Sequence, residues 1–147
     1  MTTPTYDTDF YAWTQVQADA IRAKDLARLD ISHLAEEIVS LGISDEHAIA
    51  RQLQRLLHHL LKWQYQPTHR GRSWRRSIDQ ARDAIADRIT RSPSLQGYPA
   101  QRLVLAYRRA RRDAMTDTGL PLTMFPETCP WALADVLTDD WWPPESP

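Results

Sequence analysis

Four side chains at helical spacing, Arg55, His59, Lys62 and Gln66, line one flank of a single segment. At about 100° per residue they fall a quarter to half a turn from the apolar face of Ile49, Leu53, Leu56, Leu57, Leu60 and Leu61. Glu37 stands at the edge of the preceding apolar stripe with Glu36 farther round, and Arg111 sits beside Tyr107 and Ala110 on a later one. If these flanks converge, Glu37 and His59 can serve as an acid–base pair, the carboxylate orienting the imidazole while Arg111 or Lys62 holds an anion. That constellation would suit a small hydrolase or transferase. The same residue types also fill the boundary of an ordinary helical bundle, where ion pairs satisfy them, and this structural reading is preferred. The stripe runs into a turn rich in arginine and tryptophan, so the expected binding surface is Glu36, Glu37, His59, Lys62, Gln66, Arg70 and Trp74.

Other chemistries find less support. His33 with Glu36 or Glu37, joined by His58 or His59, offers too few certain ligands to name a metal, and the paired Glu-x-x-His of di-iron bundles does not occur. No metal or cofactor is expected. Cys129, just before Pro130, can cap a short helix whose N-terminus would lower a thiol pKa, but without a base nearby it reads as a small buried hydrophobe. Only four glycines are present, and no phosphate-cradling loop or nucleophile elbow is found.

The net charge of −1 conceals a strong division: residues 1–50 carry −6, 51–112 carry +12 and 113–147 carry −7. Sixteen of the 18 cations are arginine, the side chain suited to bidentate phosphate or carboxylate contact. Arg70, Arg72, Arg75 and Arg76 crowd one junction with Trp74, and Arg108, Arg109, Arg111 and Arg112 crowd one later segment. A polyanion site needs these on one face in space, whereas acidic flanks folded against the basic middle use the same residues, and pairing is the favoured outcome. Nucleic acid is therefore the less expected partner. A protein partner or self-association remains open, with an apolar patch at Trp141 and Trp142 as the sign of an oligomeric role.

The elements that must position these residues are all helices. Apolar residues recur at helical rather than alternating spacing, and no segment makes a convincing strand. The pattern predicts helices over about Thr8–Lys24, capped by Asp7 or Thr8 and burying Phe10, Trp13 and Ile21; Ile31–Leu41, burying Leu34, Ile38 and Leu41 and ending at Gly42; and Ser44–Gln66, ended by Pro67. Further helices are predicted over Ser73–Arg91, Ala100–Thr118 with Gly119 as its stop, and a short one over Pro130–Thr138. Short connections make the expected fold an all-α antiparallel bundle of about five main helices in a single domain, with residues 120–147 as a proline- and aromatic-rich arm packed on it. The single cysteine fits a reducing cytoplasm, and no stretch of about 20 apolar residues suggests a membrane span.

Several words of the sequence carry a resemblance. Asp9-Phe10-Tyr11-Ala12-Trp13, Leu34-Ala35-Glu36-Glu37-Ile38 with Leu41-Gly42, His59-Leu60-Leu61-Lys62-Trp63-Gln64-Tyr65-Gln66-Pro67, Ser73-Trp74 and Phe125-Pro126-Glu127-Thr128-Cys129-Pro130 occur in that order. The chain thereby resembles, from Tyr6 to Trp142, a bacterial family catalogued as domain of unknown function twenty-nine. Ser77 departs mildly, standing where that family usually has threonine. The resemblance implies an all-helical cytoplasmic fold and lends no activity. The functional expectation is accordingly a non-enzymatic binding or protein-interaction module.

Overall fold

A computed structural model of the chain describes residues 2–145. Five α-helices carry the fold: α1 (Phe10–Arg22), α2 (Ile31–Tyr65), α3 (Arg72–Arg91), α4 (Tyr98–Thr118) and α5 (Leu133–Val136), with single 3-10 turns between them and no strand among the described residues. The all-α expectation holds. The chain divides into two compact units, Met1–Ser44 and Asp45–Pro147, the division falling inside α2.

The predicted break at Gly42 is absent. A glycine ends a helix by taking a left-handed conformation, and among the described glycines only Gly119 has positive φ, at 72°. Gly42 keeps helical geometry, a penalty of about 1 kcal/mol that a helix already propagating on both sides absorbs. Ser44 is consequently an interior residue rather than a cap.

In the first unit, Asp9 rather than Asp7 or Thr8 caps α1, its carboxylate accepting from the Ala12 amide. The buried face of α1 is Trp13, Gln17 and Ala20, whereas Phe10 and Ile21 are exposed, as are Ile38 and Leu41 of α2. Gln17 is buried because the connector to α2 crosses it: its amide donates to the Arg28 carbonyl and accepts from the Asp30 amide at 2.7 Å. Trp13 Nε1 donates to Asp30 Oδ2, so the two buried large side chains of α1 both bind the start of α2.

In the second unit the predicted leucine face is the core. Ile49, Leu53, Leu56, Leu57, Leu60 and Leu61 of α2 are fully buried against Ile78, Ala81 and Ile85 of α3 and Ala106, Tyr107, Ala110 and Ala114 of α4. Each such large aliphatic side chain contributes about 1.5–3 kcal/mol. Alanine at every fourth position of α4 presents small side chains to that core. Gly119 closes α4 as predicted, its amide bonding the Met115 carbonyl. Helix α3 starts two residues earlier than expected, at Arg72, with Gly71 in place of Ser73 as its cap.

Residues after α4 pack against this core through Phe125, Trp131 and Val136. Arg82, 2% exposed, donates from Nε to the Val136 carbonyl and from Nη2 to the Trp141 carbonyl. The last helix is shorter than predicted, because the chain stays extended through Ala132 as Trp131 enters the core. Trp141 and Trp142, half-buried, pack on the core as well.

Candidate functional site

The polar flank of α2 closes on itself at its C-terminal end. Lys62 is buried, with Nζ 3.2 Å from Asp117 Oδ2 and 4.8 Å above the Trp74 ring. His58 Nε2 also lies 2.8 Å from Asp117 Oδ2, but its N–H is out of line for a hydrogen bond. Burial raises the Asp117 carboxyl, yet the Lys62 hydrogen bond and the neighbouring charges of His58 and Lys62 outweigh it and hold the group below its usual value. Burial, reinforced by Lys62, lowers the His58 imidazole. Gln66 reaches the Thr118 carbonyl at 3.4 Å, and Gln54 bonds Asp113 at 2.7 Å. Lys62 and Gln66 are thus held against α4, and Trp74 of α3 against Lys62, by contacts within the protein.

The remaining candidates have other partners. His59 donates from Nδ1 to the Arg55 carbonyl, and burial lowers its pKa to about 4, leaving the ring neutral at pH 7. Arg55 itself spans to Ser77 and Gln80 of α3. Arg70 stacks over Trp63, donates to its carbonyl at 2.6 Å and meets Glu145 at 3.4 Å. Arg111 clasps the Phe125 carbonyl through Nε and Nη2. In the first unit Glu37 accepts from the Tyr6 hydroxyl, a bond that pushes the Tyr6 pKa up to about 12, and Glu36 is exposed. Glu37 and His59 therefore each bind a group of their own unit, not each other.

Asp117 was the residue that sequence reasoning overlooked. Its signal lay in the text: carboxylates at Asp113 and Asp117 oppose the dipole at the C-terminal end of a helix, and such acids need a compensating cation. His33 also has a local partner. It bonds Asp30 at 2.7 Å, which raises the imidazole pKa and lowers that of the carboxyl. Among the described residues no three His, Cys, Asp or Glu side chains converge as metal ligands. Cys129 is not a helix cap, since α5 begins at Leu133 behind Ala132; its thiol contacts the Trp131 carbonyl and burial raises its pKa, the reverse of activation.

Pairing of the acidic flanks with the basic middle is only partial. Asp45 meets Arg88 and Arg91, Asp117 meets Lys62, and Glu145 meets Arg70. On α4, Arg102, Arg108, Arg109, Arg111 and Arg112 have no carboxylate within 4.0 Å among the described residues. A cavity of about 480 Å³ lies beside this helix, with Leu103, Val104, Tyr107, Arg108, Arg111 and Cys129 among its walls.

The first unit holds the greatest departure from expectation. Nine of its large apolar side chains are exposed, among them Ile31 (67%), Ile38 (68%) and Leu41 (70%), while Trp13 and Ala20 are its only buried apolar residues among those described. A unit of this size buries too little to be self-sufficient by the usual scaling of core with length. At residues 38–43 the helix is apolar on several sides at once, with Ile38, Val39, Leu41 and Ile43 all exposed, a pattern that belongs to covered helices.

An all-α chain with buried polar ties and one uncovered apolar helix is the class that this geometry defines. It belongs to the family described as domain of unknown function DUF29, which it matches over residues 5–142. No curated protein and no solved structure matches it. No helix among the described residues is long and apolar enough to cross a membrane.

Proposed function

We propose that this protein is a non-enzymatic interaction module that binds a protein partner through the apolar face of the unit ending at Ser44. The observation that carries this reading is the concentration of nine exposed large apolar side chains in that unit, set against the isolated Val104 and Met124 elsewhere. Five of the nine, Ile31, Ile38, Val39, Leu41 and Ile43, lie within one stretch of α2, and a concentration of exposed apolar side chains of this kind marks an interaction site. Acid–base catalysis draws less support, since Glu37 and His59 are engaged with Tyr6 and with the Arg55 carbonyl. A photo-crosslinking residue placed at Ile38 or Leu41 in cells should yield one discrete adduct, and the same residue at Val104 none. Absence of any adduct from the face would refute the reading.

A second reading has its own support in the five α4 arginines without a carboxylate partner among the described residues: together they can hold a polyanion. Retention on a polyanion column that falls steeply with salt, and falls further in Arg109→Glu with Arg112→Glu, is the expected result. Salt-insensitive passage through the column would exclude it.

A further inference from the structure

We infer that the occupant of the apolar face is a second copy of this chain, packed antiparallel along residues 31–43 of α2. The inference rests on the interaction reading above and names its partner. Ile31, Leu34, Ile38 and Leu41 follow the three–four alternation of a two-helix seam. In an antiparallel pair centred on Glu36 this seam is its own complement: Ile31 meets Leu41 of the second copy, and Leu34 meets Ile38. A closed two-fold contact requires such self-complementarity.

The position of α1 makes the same arrangement fill space. Tyr6 lies level with His33 and Glu37, Trp13 with Asp30 and His33, and Gln17 with Arg28. The hydrogen bonds and ring contacts of Tyr6 and α1 reach α2 only as far as Glu37, and Ile38, Val39, Leu41 and Ile43 beyond it are exposed. Turning a second copy about Glu36 carries its α1, with exposed Phe10 and Tyr11, to the level of those bare residues. Each copy supplies the cover that the other lacks, and the result is a four-helix arrangement of a common kind. Ile31, Ile38 and Leu41 with Phe10 and Tyr11 expose roughly 600 Å² of apolar surface on each copy, most of the about 800 Å² per partner of a stable interface.

Charge modulates the contact. Residues 2–44 carry seven acidic and three basic side chains, a net −4, so two such units repel weakly and added salt strengthens the pairing. Polyanion binding has the opposite salt dependence.

The test uses the full chain with Cys129→Ser, into which Ile31→Cys or Leu41→Cys is introduced. Under mild oxidation each variant alone should remain uncrosslinked, because its like residue on the second copy is several turns away. An equilibrated mixture of the two should form a disulfide-linked heterodimer, and Val104→Cys none. Sedimentation of the wild type should show the 17.0 kDa chain rising to about twice that mass with concentration, and Ile38→Glu should hold it at the lower mass with unchanged helical content. A monomer at all concentrations overturns the inference, as does disulfide formation by Ile31→Cys or Leu41→Cys alone, which would mean a parallel pair. If the photo-crosslinked adduct is a different protein, the second copy is refuted while the interaction module stands; if there is no adduct, both fall.

Discussion

Replacing Arg82 tests what holds the C-terminal segment to the second unit. Its guanidinium is almost fully buried without a carboxylate partner among the described residues, and burial lowers its pKa against the pull of Asp139, Asp79 and Asp140. Two donors are used, on the Val136 carbonyl at 2.9 Å and the Trp141 carbonyl at 2.8 Å, while Nη1 has no partner among the described residues. Arg82→Met keeps most of the stem but leaves both carbonyls without a donor. A hydrogen bond to a charged group contributes about 1.5–3 kcal/mol and an orphaned buried acceptor costs about 1–3 kcal/mol. Relief from burying a charge offsets part of this loss, so the expected destabilisation is about 2–4 kcal/mol. With a urea slope of about 1–3 kcal/mol per molar, the midpoint should fall by roughly 1–2 M. Arg82→Lys, able to serve one carbonyl, should fall between. Tryptophan emission reports the transition directly, since Trp141 and Trp142 lie in the segment being held. If Arg82→Met were as stable as the wild type with an unchanged slope, apolar contacts alone would dock the segment and the reasoning from orphaned carbonyls would fail.

Three other outcomes follow from local geometry. His59 is held neutral, its folded pKa of about 4 lying below the unfolded value of about 6.5, so its contribution is complete above the unfolded value and is lost as pH falls toward 4. His59→Gln should flatten the stability profile between about pH 6.5 and 4, by at most about 1.4 kcal/mol per pH unit, and an equally steep profile in the variant would exclude His59 as the cause. His33 is shifted the other way by Asp30: its stabilisation is complete below the unfolded value and disappears as pH rises through the folded one, so its NMR titration should move down in Asp30→Asn. Gly42→Ala, at a helical position with nothing within 4 Å of the new Cβ, should stabilise the protein by about 0.5–1 kcal/mol in a denaturant titration. A loss of stability there would mean that Gly42 needs a conformation closed to alanine.

Residues with one dominant physical role were legible in the sequence. The leucine face of α2, the Ile78–Ala81–Ile85 face of α3 and the Tyr107–Ala110–Ala114 face of α4 are buried as their spacing requires, and Gly119 stops α4 where its left-handed φ predicts. Gly42 carried the same stop signal without effect, because a glycine permits a helix to end and does not compel it. The stripe of Leu34, Ile38 and Leu41 is present as a pattern, with Ile38 and Leu41 exposed where the spacing predicts burial.

The polar candidates were harder to place, since spacing puts side chains on one face of a helix and says nothing of what that face meets. Lys62 lies against Trp74, and the carboxylate it pairs with is Asp117, fifty-five residues on. Glu37 found Tyr6, and His59 found a carbonyl of its own helix. The sequence by itself determined the helical class, the leucine-lined core and the family, because the first two follow from local propensity and one-dimensional periodicity and the third from short words of sequence. Only the tertiary structure decided which arginines remain without a carboxylate, that Arg82 ties down the C-terminal segment, and that the apolar face of the first unit is left bare, because those outcomes depend on which surfaces meet across the chain.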